Sequence, residues 1–221
     1  MSKSVVGAFF DFDKTLLETE SAKLGLKYLW DRRLLSLRFL MKVLAANFFY
    51  QHHLVSDEWV AKIILKLYCG KRLQEFAEGA AMFYQDFLKP NLAPNILAKV
   101  RNHQIEGHAL ILISGSVRYM LKSVVEDIGF DHLLCTDLEI GEDGLLTGRA
   151  NGPLCISRTK RTLAIQLAKA HNIDLSRSYA YGNHQSDIPL LELVGNPFVV
   201  EPTRPLRKVA MQRNWPVLGF R

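Results

Sequence analysis

Continuous apolar runs alternate with helix-like patterns along much of the chain. The runs occupy residues 4–10, 109–115, 178–182 and 197–200, and each has the length of a strand that is buried on both faces. Polar residues or glycines end the runs just before helix-like patterns begin. The alternation predicts an α/β fold with a Rossmann-like parallel sheet, helices on its faces and ligands at the carboxyl ends of its strands.

Two segments break this alternation. Residues 17–104 show helical periodicity with few strand signals, which predicts an all-α cap inserted into a catalytic core made of residues 1–16 and 105–221. Further along, residues 134–140 and 145–150 flank a Gly-Glu-Asp-Gly sequence. This pattern predicts a β-hairpin beside the core.

The most apolar part of the predicted cap is residues 34–51. Its pattern is apolar almost all round, with Arg38 and Lys42 one helical turn apart. Two interpretations stay open, a central helix of the cap bundle or a surface that also touches lipid.

Charge is concentrated in the cap. The chain has 221 residues, 48% of them hydrophobic, and a net charge of +6, while residues 21–104 alone hold 13 basic and six acidic side chains. A basic insert indicates an anionic partner, which is a phosphorylated small molecule, a lipid headgroup or nucleic acid. A recognition-helix pattern, an RNA-binding aromatic motif and a zinc-ligand spacing of Cys and His are all missing, so we expect no nucleic-acid partner.

Membrane insertion is not expected from the hydropathy. The longest charge-free stretch of the cap, residues 43–56, has 14 residues, and a transmembrane helix needs roughly 18–20. The amino terminus lacks the features of a signal peptide. We therefore expect a cytoplasmic protein with, at most, peripheral membrane contact through the cap.

The first apolar run ends at a pair of carboxylates, Asp11 and Asp13. In an extended chain alternate side chains share a face, so both can approach one site unless the chain bends first. Paired carboxylates suit Mg²⁺ binding, or a nucleophile that works beside a general acid and base.

Polar groups at the other predicted strand ends complement this pair. Ser114 and Gly115 offer a hydroxyl and a backbone amide of the kind that cradles a phosphoryl group, and Lys160 at a predicted helix start offers a positive charge. Asn183 and Asp187 offer oxygen ligands for a hard cation. Each signal is modest alone, and their order at successive strand ends gives them weight together.

These motifs resemble the haloacid dehalogenase superfamily of phosphotransferases. The resemblance consists of Asp-x-Asp-x-Thr at 11–15, Ser114, Lys160 and Gly-x-x-x-x-Asp at 182–187, and it spans nearly the whole chain. The insertion after the first motif is similar to the helical cap of subfamily IB, which contains the phosphoserine phosphatases. The apolar cap helix also resembles that of phosphatidylglycerophosphate phosphatases.

The resemblance implies a mechanism. Asp11 would attack phosphorus to form an aspartyl-phosphate, while Asp13 would protonate the leaving alkoxide and then activate the hydrolytic water. Ser114, the Gly115 amide and Lys160 would bind the remaining phosphoryl oxygens.

It also implies a Mg²⁺ cofactor, held by the Asp11 carboxylate, the Asp13 backbone carbonyl, Asn183 and Asp187. The family commonly has aspartate where this chain has Asn183. The loss of one negative charge predicts weaker metal binding, and it leaves open a degenerate, non-catalytic module that only binds phosphate.

The substrate is less determined than the chemistry. Glu20 lies nine residues after the predicted nucleophile, where phosphoserine phosphatases carry a glutamate that binds the substrate amine, and this favours a small phosphoserine-like metabolite. The basic cap instead favours an anionic or lipid-like phosphate. His184 is open to two interpretations, an acid/base or an ordinary loop histidine.

Overall fold

The centre of the molecule is a six-stranded sheet in which every strand pair is parallel. A computed structural model describes residues 4–52 and 54–221. The strands are β1 (Gly7–Asp11), β2 (Ala109–Val117), β3 (His132–Thr136), β4 (Leu138–Ile140), β5 (Leu146–Ala150), β6 (Tyr179–Gly182), β7 (Asn196–Val200) and β8 (Val217–Leu218). The sheet order is β3-β2-β1-β6-β7-β8, and β4 and β5 form a separate antiparallel pair.

Helices cover both faces of the sheet and fill the segment between β1 and β2. They are α1 (Ser21–Asp31), α2 (Leu37–Gln51), α3 (Asp57–Leu65), α4 (Leu73–Ala77), α5 (Ala80–Phe83), α6 (Pro94–Ile105), α7 (Arg118–Ile128), α8 (Arg158–Ala170), α9 (Ile188–Leu191) and α10 (Arg204–Arg213). Short 3-10 or π segments lie at Lys66–Tyr68, Tyr84–Leu88, Lys89–Asn91 and Gln185–Asp187. The predicted α/β architecture with a parallel sheet is confirmed.

Alternate side chains of β1 enter two different cores. Phe10 packs with residues of α6 and α7 on one face, and its ring stacks on Tyr181 at a centroid distance of 4.4 Å. Phe9 packs on the other face with residues of α8, α9 and α10. Both rings are fully buried, and each contributes roughly 1.5–3 kcal/mol of stabilisation. This two-sided burial explains why the run is apolar without alternation.

The predicted hairpin begins too early in the sequence. Residues 134–136 belong to β3, which pairs with β2 in the central sheet in a register that sets Leu112 beside Leu133. The chain turns at Asp137, whose carboxylate accepts two hydrogen bonds from Arg118. Because no glycine or proline marks this turn, the sequence gives no sign of a break between the two strands.

The hairpin of β4 and β5 also packs against the inserted segment. It contacts α3 and the Lys66–Tyr68 segment, and two backbone hydrogen bonds of 2.8 Å fasten it there, from Gly70 N to Leu146 O and from Leu146 N to Lys71 O. The hairpin therefore links the sheet to the inserted helices.

Helix α2 lies at the surface, so the interpretation as a central helix of the cap bundle is wrong. Of its side chains, Val43 and Ala46 are buried, whereas a row of apolar side chains spaced three or four residues apart is more than half exposed. That row consists of Leu37, Met41, Leu44 and Phe48. In the part of the chain that the structure describes, no helix combines the length and the hydropathy of a membrane span.

The division into core and cap stays a prediction. Within the inserted segment, α6 contacts β2 and buries Ile96 and Val100 in the core that β1 shares. These contacts favour ending the cap before Pro94.

Candidate active site

Three charged side chains meet where β1 and β6 end and α8 begins. Asp11 is the last residue of β1, Asp187 lies five residues beyond the end of β6, and Lys160 lies in the first turn of α8. The Lys160 Nζ donates a 2.6 Å hydrogen bond to Asp11 Oδ1 and a 2.7 Å hydrogen bond to Asp187 Oδ1. Each of the three is at most 5% exposed, so the cluster is a buried ion network.

The backbone holds Asp187 in this network. Its second carboxylate oxygen accepts hydrogen bonds of 3.1 Å from the backbone N–H groups of Asn183 and His184. A Cβ atom at Gly182 would lie 2.8 Å from the Cβ of Asp187. Glycine is therefore needed at position 182 for the close approach of this loop.

Burial and charge oppose each other in this cluster. Burial raises the pKa of Asp11 to about 7, although the nearby Lys160 ammonium acts in the opposite direction. Burial lowers the pKa of Lys160, but the Asp11 and Asp187 carboxylates outweigh it and raise that pKa above its ordinary value. Lys160 thus stays protonated as the cation of the site.

Asp13 faces the start of the cap. Its carboxylate accepts hydrogen bonds from the Ser21 N–H and, at 3.2 Å, from the Ser116 hydroxyl, and the two serine hydroxyls are 2.8 Å apart. Burial raises the pKa of Asp13, while the hydrogen bonds from Ser21 and Ser116 oppose that rise. A carboxyl group with a raised pKa suits a general acid that also acts as a base.

The end of β2 lies beside the end of β1, because Ile113 pairs with Asp11 in the parallel register. Ser114 is buried, and its hydroxyl accepts a 3.1 Å hydrogen bond from the Ser116 N–H. Gly115 is exposed, and a Cβ there would lie 3.0 Å from a side-chain carbon of Ile156. The strand thus carries a buried hydroxyl at Ser114 and an exposed backbone at Gly115.

The donor set fits a hard divalent cation. Asp11, Asp13 and Asp187 supply three carboxylates against the single ammonium of Lys160, which leaves an excess of two negative charges when all are ionised. Asn183 is 6% exposed, and its side-chain amide makes no hydrogen bond to the residues that the structure describes. Carboxylate and amide oxygens are ligands that Mg²⁺ accepts.

Glu20 lies outside the buried network. Its carboxylate forms ion pairs with Lys14 and Lys23 at 3.2 and 3.1 Å, and about a third of the side chain is exposed. The following residue, Ser21, binds Asp13, so Glu20 lies at the edge of the candidate site.

His184 joins the loop to the cap. Its Nδ1 contacts the Ser186 hydroxyl at 2.9 Å, and its Nε2 lies 3.4 Å from the Tyr50 hydroxyl of α2. Burial lowers the pKa of His184. With both ring nitrogens engaged in these contacts, the interpretation as a loop histidine is favoured over an acid/base.

Sequence reasoning assigned no role to three residues that complete the arrangement. Thr15 donates a 3.1 Å hydrogen bond to Asp11 Oδ2, Ser21 binds Asp13, and Tyr50 approaches His184. Thr15 belongs to the Asp-x-Asp-x-Thr motif at residues 11–15, so the sequence does indicate that it lies at the site. Ser21 and Tyr50 stand in helical patterns without a local signal, because only the folded chain brings them to the site.

Comparisons with known proteins agree with this architecture. A family model described as haloacid dehalogenase-like hydrolase matches residues 8–192. The chain is 30% identical over 220 residues to the "Inhibition of morphological differentiation protein" of Streptomyces azureus, covering 96% of this chain and 78% of the relative. It is 29% identical over 221 residues to the histidinol-phosphatase of Neisseria meningitidis, covering 97% and 98%.

A solved structure has the same fold over nearly its whole length. A protein of unknown function from Bordetella pertussis superposes with a TM-score of 0.88 at 25% sequence identity, covering 99% of this chain and 100% of the other. The complete fold, including the inserted helices, is thus shared with a natural protein.

Proposed function

Since the chain belongs to the haloacid dehalogenase-like hydrolase family, we propose that it is a Mg²⁺-dependent phosphomonoesterase of small phosphorylated metabolites. The observation that carries the proposal is the buried network in which Lys160 bridges Asp11 and Asp187. Such a network concentrates a nucleophile, a cation and metal ligands at one strand edge. A transferring phosphoryl group needs this combination of positioning and charge neutralisation.

The proposed reaction has two steps. A carboxylate oxygen of Asp11 attacks phosphorus, the bond from phosphorus to the substrate oxygen breaks, and the departing alkoxide takes a proton from Asp13. In the second step Asp13 accepts a proton from water, which attacks the aspartyl-phosphate, releases inorganic phosphate and regenerates the Asp11 carboxylate. Atoms and charges balance with water as the only co-reactant.

The remaining groups would hold the phosphoryl oxygens. Lys160 would contribute its charge, and Ser114 and the Gly115 amide would donate hydrogen bonds from the end of β2. Asp11, the Asp13 backbone carbonyl, Asn183 and Asp187 would hold Mg²⁺ in the arrangement implied by the family resemblance. When bound, Mg²⁺ supplies positive charge that neutralises the phosphoryl oxygens and orients them toward Asp11.

We further propose that the preferred substrates carry an ammonium group near the phosphate ester. Burial raises the pKa of Tyr50, and the Asp57 and Glu20 carboxylates raise it further, so two carboxylates lie near the edge of the site next to α2. Histidinol phosphate, the substrate in the name of the Neisseria relative, carries such an ammonium group, as does phosphoserine. Glu20 would exchange its ion pairs with Lys14 and Lys23 for the substrate ammonium.

Phosphate release from paired substrates tests this specificity. Phosphoserine and histidinol phosphate are compared with their analogues that lack the amine, in Glu20→Gln and in a control, Glu142→Gln, whose side chain is exposed. We expect Glu20→Gln to raise KM about tenfold for the amine substrates only, because their ammonium group loses its charge-assisted contact with the Glu20 carboxylate. Equal effects on amines and analogues would contradict the role of Glu20.

A second candidate substrate class, a lipid phosphate at an anionic membrane surface, is favoured by helix α2. Its exposed apolar row (Leu37, Met41, Leu44 and Phe48) lies on the same surface helix as Arg38 and Lys42, both exposed. Apolar side chains with flanking cations are typical of helices that lie in a membrane interface.

Co-sedimentation with vesicles tests this alternative. Vesicles that contain anionic lipid should retain the protein at low salt, Arg38→Ala/Lys42→Ala should lose the binding, and Lys122→Ala, on an exposed part of α7, should keep it. Absence of binding to such vesicles would remove the lipid alternative. Absence of turnover on every substrate of both classes would instead favour a phosphate-binding module without catalysis.

A further inference from the structure

Two histidines and a glutamate converge at the amino edge of the sheet, where the strands begin. The candidate active site lies at the opposite, carboxyl edge, where the strands end. His103 lies in the last turn of α6, and His108 directly precedes the first residue of β2. Their Nδ1 atoms are 2.8 Å apart. The Glu106 Oε2 lies 3.4 Å from the His108 Nδ1 and 4.0 Å from the His103 Nδ1, so the three atoms face one another.

The backbone builds this arrangement within six residues. After α6 ends, Gly107 adopts a φ of +70°, a conformation that glycine takes without the strain of a side chain. This turn reverses the chain so that the His108 N–H donates a 3.0 Å hydrogen bond to the His103 carbonyl. The turn thereby brings the two imidazoles next to each other.

The environment orients the two rings. The His103 Nε2 contacts the Tyr181 hydroxyl at 2.9 Å, which directs Nδ1 toward the other two side chains. The His108 ring stacks on Tyr179 at 5.5 Å. The His103 and His108 side chains are 6% and 14% exposed, whereas Glu106 is 55% exposed. The group is therefore fixed on its inner side and open to solvent on its outer side.

We propose that His103, Glu106 and His108 form a second metal site, which binds Zn²⁺ through two imidazole nitrogens and one carboxylate oxygen. The ligands of a tetrahedral zinc ion lie about 3.3 Å from one another, given zinc bonds of roughly 2.0–2.1 Å. The three observed separations, 2.8, 3.4 and 4.0 Å, bracket this value. Small rotations of the side chains, above all of the exposed Glu106, would equalise them.

The chemistry of the donors separates this site from the one at the carboxyl edge. Imidazole nitrogen is a ligand for zinc and similar transition ions, whereas Mg²⁺ prefers oxygen. Three protein ligands leave a fourth position open on the solvent side for water. The Tyr181 hydroxyl would accept a hydrogen bond from the His103 Nε2–H, as partners of metal-bound histidines do.

Counting Zn²⁺ equivalents tests the proposal. The full-length protein is titrated with Zn²⁺ in competition with a chromophoric chelator, in excess Mg²⁺, and compared with His108→Ala. A matched control, His171→Ala, removes an imidazole from the pair that His171 forms with His132. We expect His108→Ala to bind one equivalent less than wild type, and His171→Ala to match wild type.

A second variant tests the site even if His108→Ala fails to fold. Glu106 is largely exposed, so Glu106→Gln should fold, and we expect it to weaken the same Zn²⁺ equivalent by about tenfold or more. Co²⁺ added to the wild type should give the visible absorption of a tetrahedral ion, which His108→Ala should lose. If His108→Ala binds as many equivalents as wild type, or Glu106→Gln binds as tightly, the histidines share only a hydrogen bond and the proposal is wrong.

Discussion

The two edges of the central sheet carry different kinds of ligand group. At the carboxyl edge, Asp11, Lys160 and Asp187 come from three separate parts of the chain and form a buried ion network. At the amino edge, the cluster of His103, Glu106 and His108 comes from one helix end and turn. One edge offers oxygen ligands with excess negative charge, and the other offers mostly imidazole nitrogen.

The two clusters also differ in how far apart in the sequence their residues lie. The carboxyl-edge network exists only when β1, β6 and α8 are all in place, so its ions are enclosed and depend on one another. The amino-edge cluster is brought together by the turn at Gly107, its rings contact Tyr181 and Tyr179, and Glu106 keeps it open to water. We therefore expect substitutions at the carboxyl edge to affect both stability and turnover, and substitution of the exposed Glu106 at the amino edge to affect Zn²⁺ binding alone.

The largest effect is expected for Lys160→Met, which keeps most of the packing but removes the buried charge. With Asp11 and Asp187 uncompensated, we expect the free energy of unfolding without metal to fall by roughly 3–5 kcal/mol and phosphate release to fall roughly 10²–10³-fold. Denaturant unfolding and steady-state kinetics measure the two effects. Lys122→Met, with its side chain 74% exposed, is the control, and equal behaviour of the two variants would contradict the ion network.

A smaller effect is expected for Gly182→Ala. The added Cβ would lie 2.8 Å from the Asp187 Cβ, so the loop must shift and the Asp187 carboxylate must move. We expect the Mg²⁺ concentration at half-maximal activity to rise about tenfold or more, measured by metal titration of phosphate release. In Gly25→Ala, the nearest atom to the new Cβ is a flexible Met120 carbon at 3.4 Å, and this control should change little. An unchanged titration in Gly182→Ala would show that Asp187 is no ligand.

The smallest effect, and one of opposite sign, is expected for Asn183→Asp. A fourth carboxylate adds negative charge to the donor set, so the Mg²⁺ concentration at half-maximal activity should fall several-fold, roughly 3–10-fold. Zn²⁺ binding at the amino edge should stay the same in this variant. If the Mg²⁺ titration does not move, the assignment of Asn183 as a ligand fails while the rest of the site stands.

Residues at strand ends are predictable from sequence because an apolar run marks each strand. Asp11 directly follows one such run and Ser114 lies near the end of another, and a parallel sheet brings the ends of these strands to one edge. The exposure of α2 is not predictable in this way, since an all-round apolar pattern does not reveal which face finds a partner. The end of β3 was not predicted because the turn at Asp137 lacks glycine or proline. The amino-edge cluster was not predicted because its histidines meet through the turn at Gly107, which the sequence pattern does not reveal.

The proposed function depends above all on Asp11, the proposed nucleophile of a Mg²⁺-dependent phosphomonoesterase. The most direct test measures phosphate release by wild type and Asp11→Asn, with Mg²⁺ and with a chelator, on the phosphate ester that the wild type hydrolyses fastest. We predict that the substitution lowers turnover roughly 10³-fold or more and that the chelator abolishes turnover of the wild type. Turnover by Asp11→Asn within tenfold of wild type would contradict the role of Asp11 as nucleophile, and wild-type turnover that survives the chelator would contradict the dependence on Mg²⁺.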